Sequence, residues 1–278
     1  MSFSVLQDYL ARLSGAASST SSIWLDHAGR AQGRFFNCTL SSAFHPIRAL
    51  QGGAVQAYEG LARSAAAQDQ GLSLWRLLDH AASDDESVEL DRLCRLLHAL
   101  NFFRQAADGG PDLYLNVHDR LLSAVSSNHG HAFRRILDAL ELPLARVVLQ
   151  LPAATPQQGW LLNYVADNYR RNGFRLAINV AAPAEALQIL ERLQPAAFKL
   201  DASVAADEAE LLALFARCRA AGVALVFKRI ETAVTLERLR ALAAGAGIAV
   251  LGQGYLLDQP AAQLAEPAPA KAVAAVAA

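Results

Sequence analysis

The sequence predicts an α/β chain folded as a TIM-like (β/α)8 barrel, with its first two strands forming a hairpin. Short apolar runs, each closed by a polar residue, recur along the chain. Most are followed by a stretch with apolar residues at helical spacing, the strand-then-helix repeat of a barrel or an open parallel sheet. The residues that close the runs are all polar, and in a barrel the carboxyl ends of the strands converge on one mouth.

Residues 1–33 are expected to form an N-terminal helix and linker. Val5, Leu6, Tyr9, Leu10 and Leu13 fall on one side of a helix suited to docking or dimerisation, and the Ser-rich AASSTSS follows. The barrel domain is expected over 34–262. SSAFHPIRAL (41–50) and AVQAYEGLAR (54–63) read as its first two strands around Gly52 and Gly53, a separation suited to a hairpin. Two helical stretches come next, LSLWRLLDHAA and ESVELDRLCRLLHALNFFRQAA, with Leu93, Leu97 and Leu100 on one face of the second. Glu86, Glu89, Asp91 and Arg92 are assigned to its solvated surface.

Six further strands follow: LYLNV (113–117), RVVLQL (146–151), FRLAINV (174–180), AAFKLD (196–201), VALVFK (223–228) and GIAVLGQG (247–254). The segments between the last five, from PQQGWLLNYVADNYRRNG to TLERLRALAAGAG, have helical spacing and end in Gly or Pro stops. An open doubly wound sheet is the alternative, but no Gly-x-Gly-x-x-Gly loop follows the first strand. The Ala/Pro tail, 263–278, cannot bury enough surface to order itself. An initial Met1 and this plain tail suit a complete protein.

Composition narrows the function. With 25 Lys plus Arg against 26 Asp plus Glu the net charge is -1, so no global field favours nucleic acid, and an anion site must be local. Trp24, Trp75 and Trp160 are scattered and form no stacking platform. No apolar run approaches the roughly 18 to 20 residues of a membrane span, and no secretion signal opens the chain; the cytoplasm is expected. Cys38, Cys94 and Cys218 lack C-x-x-C spacing and read as buried apolar residues rather than a disulfide or zinc set. His129 and His131 have metal-ligand spacing but no third ligand nearby, so they are assigned to a solvated loop. His45 and His118, near the mouth, are expected to be neutral and hydrogen-bonded.

The strand-end ring comprises Glu59, Asn116, Gln150, Asn179, Lys199 with Asp201, Lys228 and Gln253. In its order and setting it resembles the EAL-domain family of cyclic di-GMP phosphodiesterases. AFHPIRAL is similar to the family's Phe-Gln-Pro-Ile strand, with His45 for Gln, and Tyr58-Glu59-Gly60-Leu61-Ala62-Arg63 to its Glu-Ala-Leu motif, with Gly60 for Ala. Leu115-Asn116-Val117, Lys199-Leu200-Asp201, Ile230-Glu231-Thr232 and Gln253-Gly254-Tyr255 resemble four later motifs in the family's order. The resemblance runs from about residue 41 to Pro260.

The departures make it resemble a degenerate member. Gln150 and Ala153 stand where the family has two glutamates, Asn179 and Val180 where it has an Asp pair, and Lys228 where it has a glutamate. The family's chemistry is two-metal phosphodiester hydrolysis, and Mg²⁺ or Mn²⁺ needs several oxygen ligands, preferably anionic. Two cations about 4 Å apart repel by ~4 kcal/mol at an effective dielectric near 20, so Lys228 opposes a metal. The resemblance therefore implies no bound metal or other cofactor, and no catalysis, with Glu59, Asn116 and Lys199 vestigial. Arg63, Lys228, Asp201, Glu231, Gln253, Gly254 and Tyr255 are candidate ligand contacts.

The expected role is a catalytically inactive regulator in bacterial cyclic di-GMP signalling, either a receptor for the dinucleotide or an adaptor for a protein partner, with a homodimer as a further option. The alternative is a phosphodiesterase with residual metal-dependent activity through Asp201, Glu231 and Glu59. Lys228 has two readings: a fixed countercharge for a ligand phosphate, or a structural ion pair with Glu59 that locks the mouth, the slightly favoured one.

Overall fold

The computed structural model describes residues 9, 22–36, 38–64, 83–119, 130–153 and 159–265. Its strands are β1 (Ser22–Leu25), β2 (Ala31–Phe35), β3 (Cys38–Ala49), β4 (Val55–Ser64), β5 (Asp112–Asn116), β6 (Val147–Leu151), β7 (Arg175–Asn179), β8 (Ala197–Asp201), β9 (Ala224–Lys228) and β10 (Leu251–Gly252). All ten lie in one sheet. From β4 to β10 the strands pair in parallel in chain order, and antiparallel β3 joins β10 to β4, so these eight close the barrel. Ile47, Ala57, Tyr114, Val148, Ala177, Ala197 and Val226, spread over β3 to β9, pack together as a cluster separate from the larger core, the filled interior of a closed barrel. Their strand neighbours, such as Val147 and Leu149, face the outer core instead, as the two-residue period requires.

The predicted opening hairpin is β3 and β4. Gly52 (φ 82°) and Gly53 (φ 73°) turn it in the left-handed region that glycine enters without strain. The helices are α1 (Asp84–Phe103), α2 (His131–Ala139), α3 (Gly159–Arg171), α4 (Pro183–Leu190), α5 (Glu208–Ala221) and α6 (Ala233–Gly245). Their ends follow from sequence: Ser83 and Glu86 form a capping box for α1, Pro183 opens α4, Thr232 caps α6, and Gly222 (φ 67°) stops α5.

Several elements differ from the sequence expectation. The stretch assigned to a linker contains β1 and the start of β2, which extend the sheet from the first half of β3. Asp26 builds their turn by accepting from the amides of Ala28 and Arg30, each at 2.9 Å, an Asx-type closure. Ala31, Gly33 and Phe35 are buried on one side of β2, and a Cβ at Gly33 would meet Leu93 at 2.9 Å. The last strand is only Leu251–Gly252 because the chain before it is still tied to α6, where the Ile248 amide donates to Ala243 O at 3.1 Å.

His131 opens helix α2 instead of lying in a loop; His129 lies outside the described residues. Asp91 is not on a solvated surface: it is 2 % exposed and paired with buried Arg95 one turn on, a countercharge that makes its burial tolerable. Of the expected N-terminal helix only Tyr9 is described, helical and buried; LSLWRLLDHAA and the tail from 266 lie outside the described residues. Ala261, at the end of the expected barrel, bridges to Phe44, and in the first residues of the expected 263–278 tail the Leu264 amide donates to Gln105 Oε1 at 3.1 Å and the Tyr58 hydroxyl donates to Ala265 O at 3.3 Å. Cys94 and Cys218 are buried and Cys38 half-buried, all free. Among the described residues no helix is long and apolar enough to cross a membrane.

Candidate functional site

Glu59, on β4, is the hub of the strand-end ring. Its Oε1 accepts from Asn116 Nδ2 at 3.0 Å and Gln150 Nε2 at 2.8 Å, and its Oε2 from Lys199 Nζ at 3.1 Å and Gln253 Nε2 at 2.8 Å. Lys199 also donates to Gln150 Oε1 at 2.8 Å and to Gln253 Oε1 at 3.2 Å, while Gln150 donates to Asn116 Oδ1. The chain alternation that lets β4, β5, β6 and β8 each send one polar side chain inward, with Gln253 following directly on β10, is what assembles the cluster. Lys199 is 1 % exposed and lies 5.9 Å from the centre of the Tyr114 ring. Burial pushes the Glu59 carboxyl up, but the Lys199 charge and the amide donors of Gln150, Gln253 and Asn116 outweigh it and hold the pKa at about 2.

Glu59 and Lys199 therefore neutralise each other, and Lys228 is left out of that pair. The favoured sequence reading, a Lys228–Glu59 ion pair, is corrected: Lys228 Nζ donates instead to Asn179 Oδ1 at 2.9 Å, and Asn179 Nδ2 donates to Leu151 O at 2.9 Å. The physical reason is that both Glu59 oxygens are already occupied, by Lys199 and by the amides of Asn116, Gln150 and Gln253. Burial, then the Lys199 charge, lower the Lys228 pKa, against the pull of Glu59 and Asp201. Asp201 is taken by Arg229 and by the Ser203 amide. Arg229 itself holds a left-handed φ of 60°, an uncommon conformation for a side chain of its size. Val180 is buried in the outer core and Glu231 is exposed.

At the rim, Tyr255 stacks on His45 with ring centres 5.8 Å apart. His45 Nε2 pairs with Asp258 O at 3.0 Å, and burial lowers its pKa, which matches a neutral hydrogen-bonded imidazole. His118 contacts Asp119 through Nδ1 at 2.9 Å. Gly254 has no room for a side chain: a Cβ there would lie 2.1 Å from Ile230 O and 2.3 Å from Ile230 N. The Ile230 amide donates to Gln253 O at 3.1 Å and Leu256 N to Ile230 O at 3.2 Å, zipping the loops after β9 and β10 together. Arg63 donates to Ala62 O at 3.0 Å.

His98 escaped the sequence reading. It packs against Gly60, where a Cβ would meet its Cβ and Cγ at 2.9 Å, and its Nδ1 pairs with Ser42 Oγ at 2.8 Å. Burial and the charge of Arg63 drive its pKa down to about 3, against Glu59. Gly60 in place of the expected alanine was the available clue. Arg48 was also missed; it forms a fork with Asp258 at 2.6 and 2.8 Å that ties the chain after the mouth to β3. Among the described residues no three His, Cys, Asp or Glu side chains cluster as a metal site would require.

A model of the EAL domain matches residues 28–260. Solved structures similar to the chain include Bacillus subtilis YkuI, a protein with an EAL domain in complex with substrate cyclic di-GMP and calcium, at 24% identity and TM-score 0.66, covering 82% of this chain and 56% of that one. The chain thus spans little more than half the length of YkuI. The FimX EAL domain is 20% identical with TM-score 0.67, covering 82% of this chain and 93% of that one. A standalone EAL protein from Vibrio cholerae O395, with cyclic di-GMP bound, is 17% identical with TM-score 0.63, covering 85% and 98%. No curated protein matches. The extent of the family match shows that the chain belongs to the EAL domain family.

Proposed function

We propose that this domain binds cyclic di-GMP without metal and does not hydrolyse it, serving as a receptor in bacterial cyclic di-GMP signalling. One observation carries the reading: among the described residues Lys228, at a strand end of the mouth, is bonded to a neutral amide and not to a carboxylate, so its charge is open to a ligand phosphate. The solved relatives hold cyclic di-GMP, which supports the choice of anion. Arg63, Gln253, Gly254 and Tyr255 are carried over as contacts for the same ligand.

The residues present do not fit a pair of divalent cations. A hard cation needs anionic oxygen to replace its hydration. Here both Glu59 oxygens already accept from four side chains, and the amide oxygens of Gln150 and Asn179 accept from Lys199 and Lys228. Without metal, Lys199 has no bound water to orient, and its proton is committed to Glu59 and its neighbours. Glu59 and Lys199 then act as the rigid floor of the site.

Calorimetry with cyclic di-GMP, with and without Mg²⁺, combined with product analysis, tests this. Binding of equal strength in both conditions and intact ligand are expected. Metal-dependent turnover would establish the phosphodiesterase alternative, and no heat with either would point to an adaptor that binds protein alone.

A further inference from the structure

Beside the mouth, a cleft of about 360 Å³ is lined by Arg30, Gln32, Ser41, Arg63, Pro260 and Ala262 among others, with no carboxylate among the described residues of its lining. It exists because β3 and β4 continue past the Glu59 network. Arg63 sits on the same face of β4 as Glu59 and opposite Ser41 on β3, and β2 adds its own edge at the neighbouring pair Gly33–Leu40. The β1–β2 hairpin therefore brings Arg30 and Gln32 to the side of Arg63.

These donors are held in place before any ligand arrives. Asp26, 9 % exposed, accepts from Arg30 Nε at 2.8 Å and Gln32 Nε2 at 3.2 Å. That contact takes one edge of the Arg30 guanidinium and leaves the terminal nitrogens of the fork for a second acceptor. The Arg63 guanidinium donates only to the neighbouring Ala62 carbonyl among the described residues, so its charge has no counter-ion there. Its field is felt at His98, whose protonation it disfavours.

We infer that Arg30 and Arg63 together form a phosphate clamp at the edge of the mouth, with Arg30 and the β1–β2 hairpin an added part of the nucleotide site in this chain. The inference rests on the receptor reading and extends it: Lys228 faces the ligand from within the barrel, and the two arginines grip a phosphodiester from outside it. Two forks in a cleft of this size suit a multidentate oxyanion such as a phosphodiester better than a point charge.

Calorimetry with cyclic di-GMP tests it, using Arg30→Ala, Arg30→Lys, Arg63→Ala and Arg34→Ala, with circular dichroism to verify folding. Arg34 lies on β2, the strand that Arg30 immediately precedes, exposed and outside the described cleft lining. Arg30→Ala and Arg63→Ala should each weaken binding about 10- to 100-fold, the usual effect of losing a hydrogen-bonded charge. Arg30→Lys should recover part of that loss, and Arg34→Ala should bind as wild type. Wild-type affinity in a folded Arg30→Ala, or an equal loss in Arg34→Ala, overturns the clamp and leaves the receptor reading intact. A wild-type protein that binds no cyclic di-GMP overturns both.

Discussion

Restoring the family's alanine at residue 60 should harm this protein, and the reason is His98. A Cβ at position 60 would lie 2.9 Å from His98 Cβ and Cγ and 3.0 Å from Cδ2, well inside ordinary contact. The imidazole has nowhere to retreat, being 3 % exposed and held to Ser42 Oγ at 2.8 Å. Overpacking of this kind costs about 1–3 kcal/mol. Replacing glycine by alanine also restricts the unfolded chain, which returns roughly 0.4–1 kcal/mol. Gly60→Ala should therefore destabilise by about 1–2 kcal/mol net. In a His98→Gly background the obstruction, Cβ included, is gone and the same substitution should be neutral or mildly stabilising. Urea unfolding of the four proteins in this cycle, read as midpoint shifts at constant m, measures the coupling directly. An equal cost of Gly60→Ala with and without His98 would refute the steric account.

Three further outcomes follow from the same geometry. The Glu59 pKa, about 2 when folded against an ordinary 4.5, means its contribution is complete above about pH 4.5 and lost as pH falls toward 2. The contribution is on the order of 3 kcal/mol. Glu59→Gln should therefore flatten the acid side of the stability curve, and an unchanged slope between pH 5 and 3 in urea titrations would contradict the pairing with Lys199. Because burial and Lys199 lower the Lys228 pKa below 10.5, cyclic di-GMP affinity should decline with alkaline pH before that value is reached. Lys228→Arg, which stays charged, should remove the decline in calorimetry from pH 7 to 10. Gly254→Ala should cost at least about 3 kcal/mol in thermal or urea unfolding, because its Cβ would strike the Ile230 backbone, which cannot rotate aside; a wild-type midpoint would show that the two loops separate freely.

The barrel was legible because its signal is local and repeated. Each of β5 to β9 is a short apolar run ending in a polar residue, and each following helix has its own start and stop residues. A two-residue period suffices to say which side chain of a run faces inward, so Glu59, Asn116, Gln150, Lys199 and Gln253 could be placed at one mouth before any coordinate was known. The hairpin β1–β2 was not legible. Its strands are short, β2 contains Gly and Arg, and the hairpin is stabilised by non-local contacts with β3 and by the burial of Gly33 against Leu93 and Leu97.

What the sequence determined by itself was the chemical inventory of the ring: the carboxylates Glu59 and Asp201, the amides Asn116, Gln150, Asn179 and Gln253, and the cations Lys199 and Lys228. Which charge meets which was decided only by the tertiary structure. Glu59 has Lys199, Asn179 holds Lys228, and Arg229 takes Asp201. Partner choice among like-charged neighbours depends on strand register and on differences of a few ångström, and one-dimensional spacing does not contain them. The same holds for the cleft of Arg30 and Arg63, residues far apart in the chain that become neighbours because an unforeseen hairpin joins the sheet.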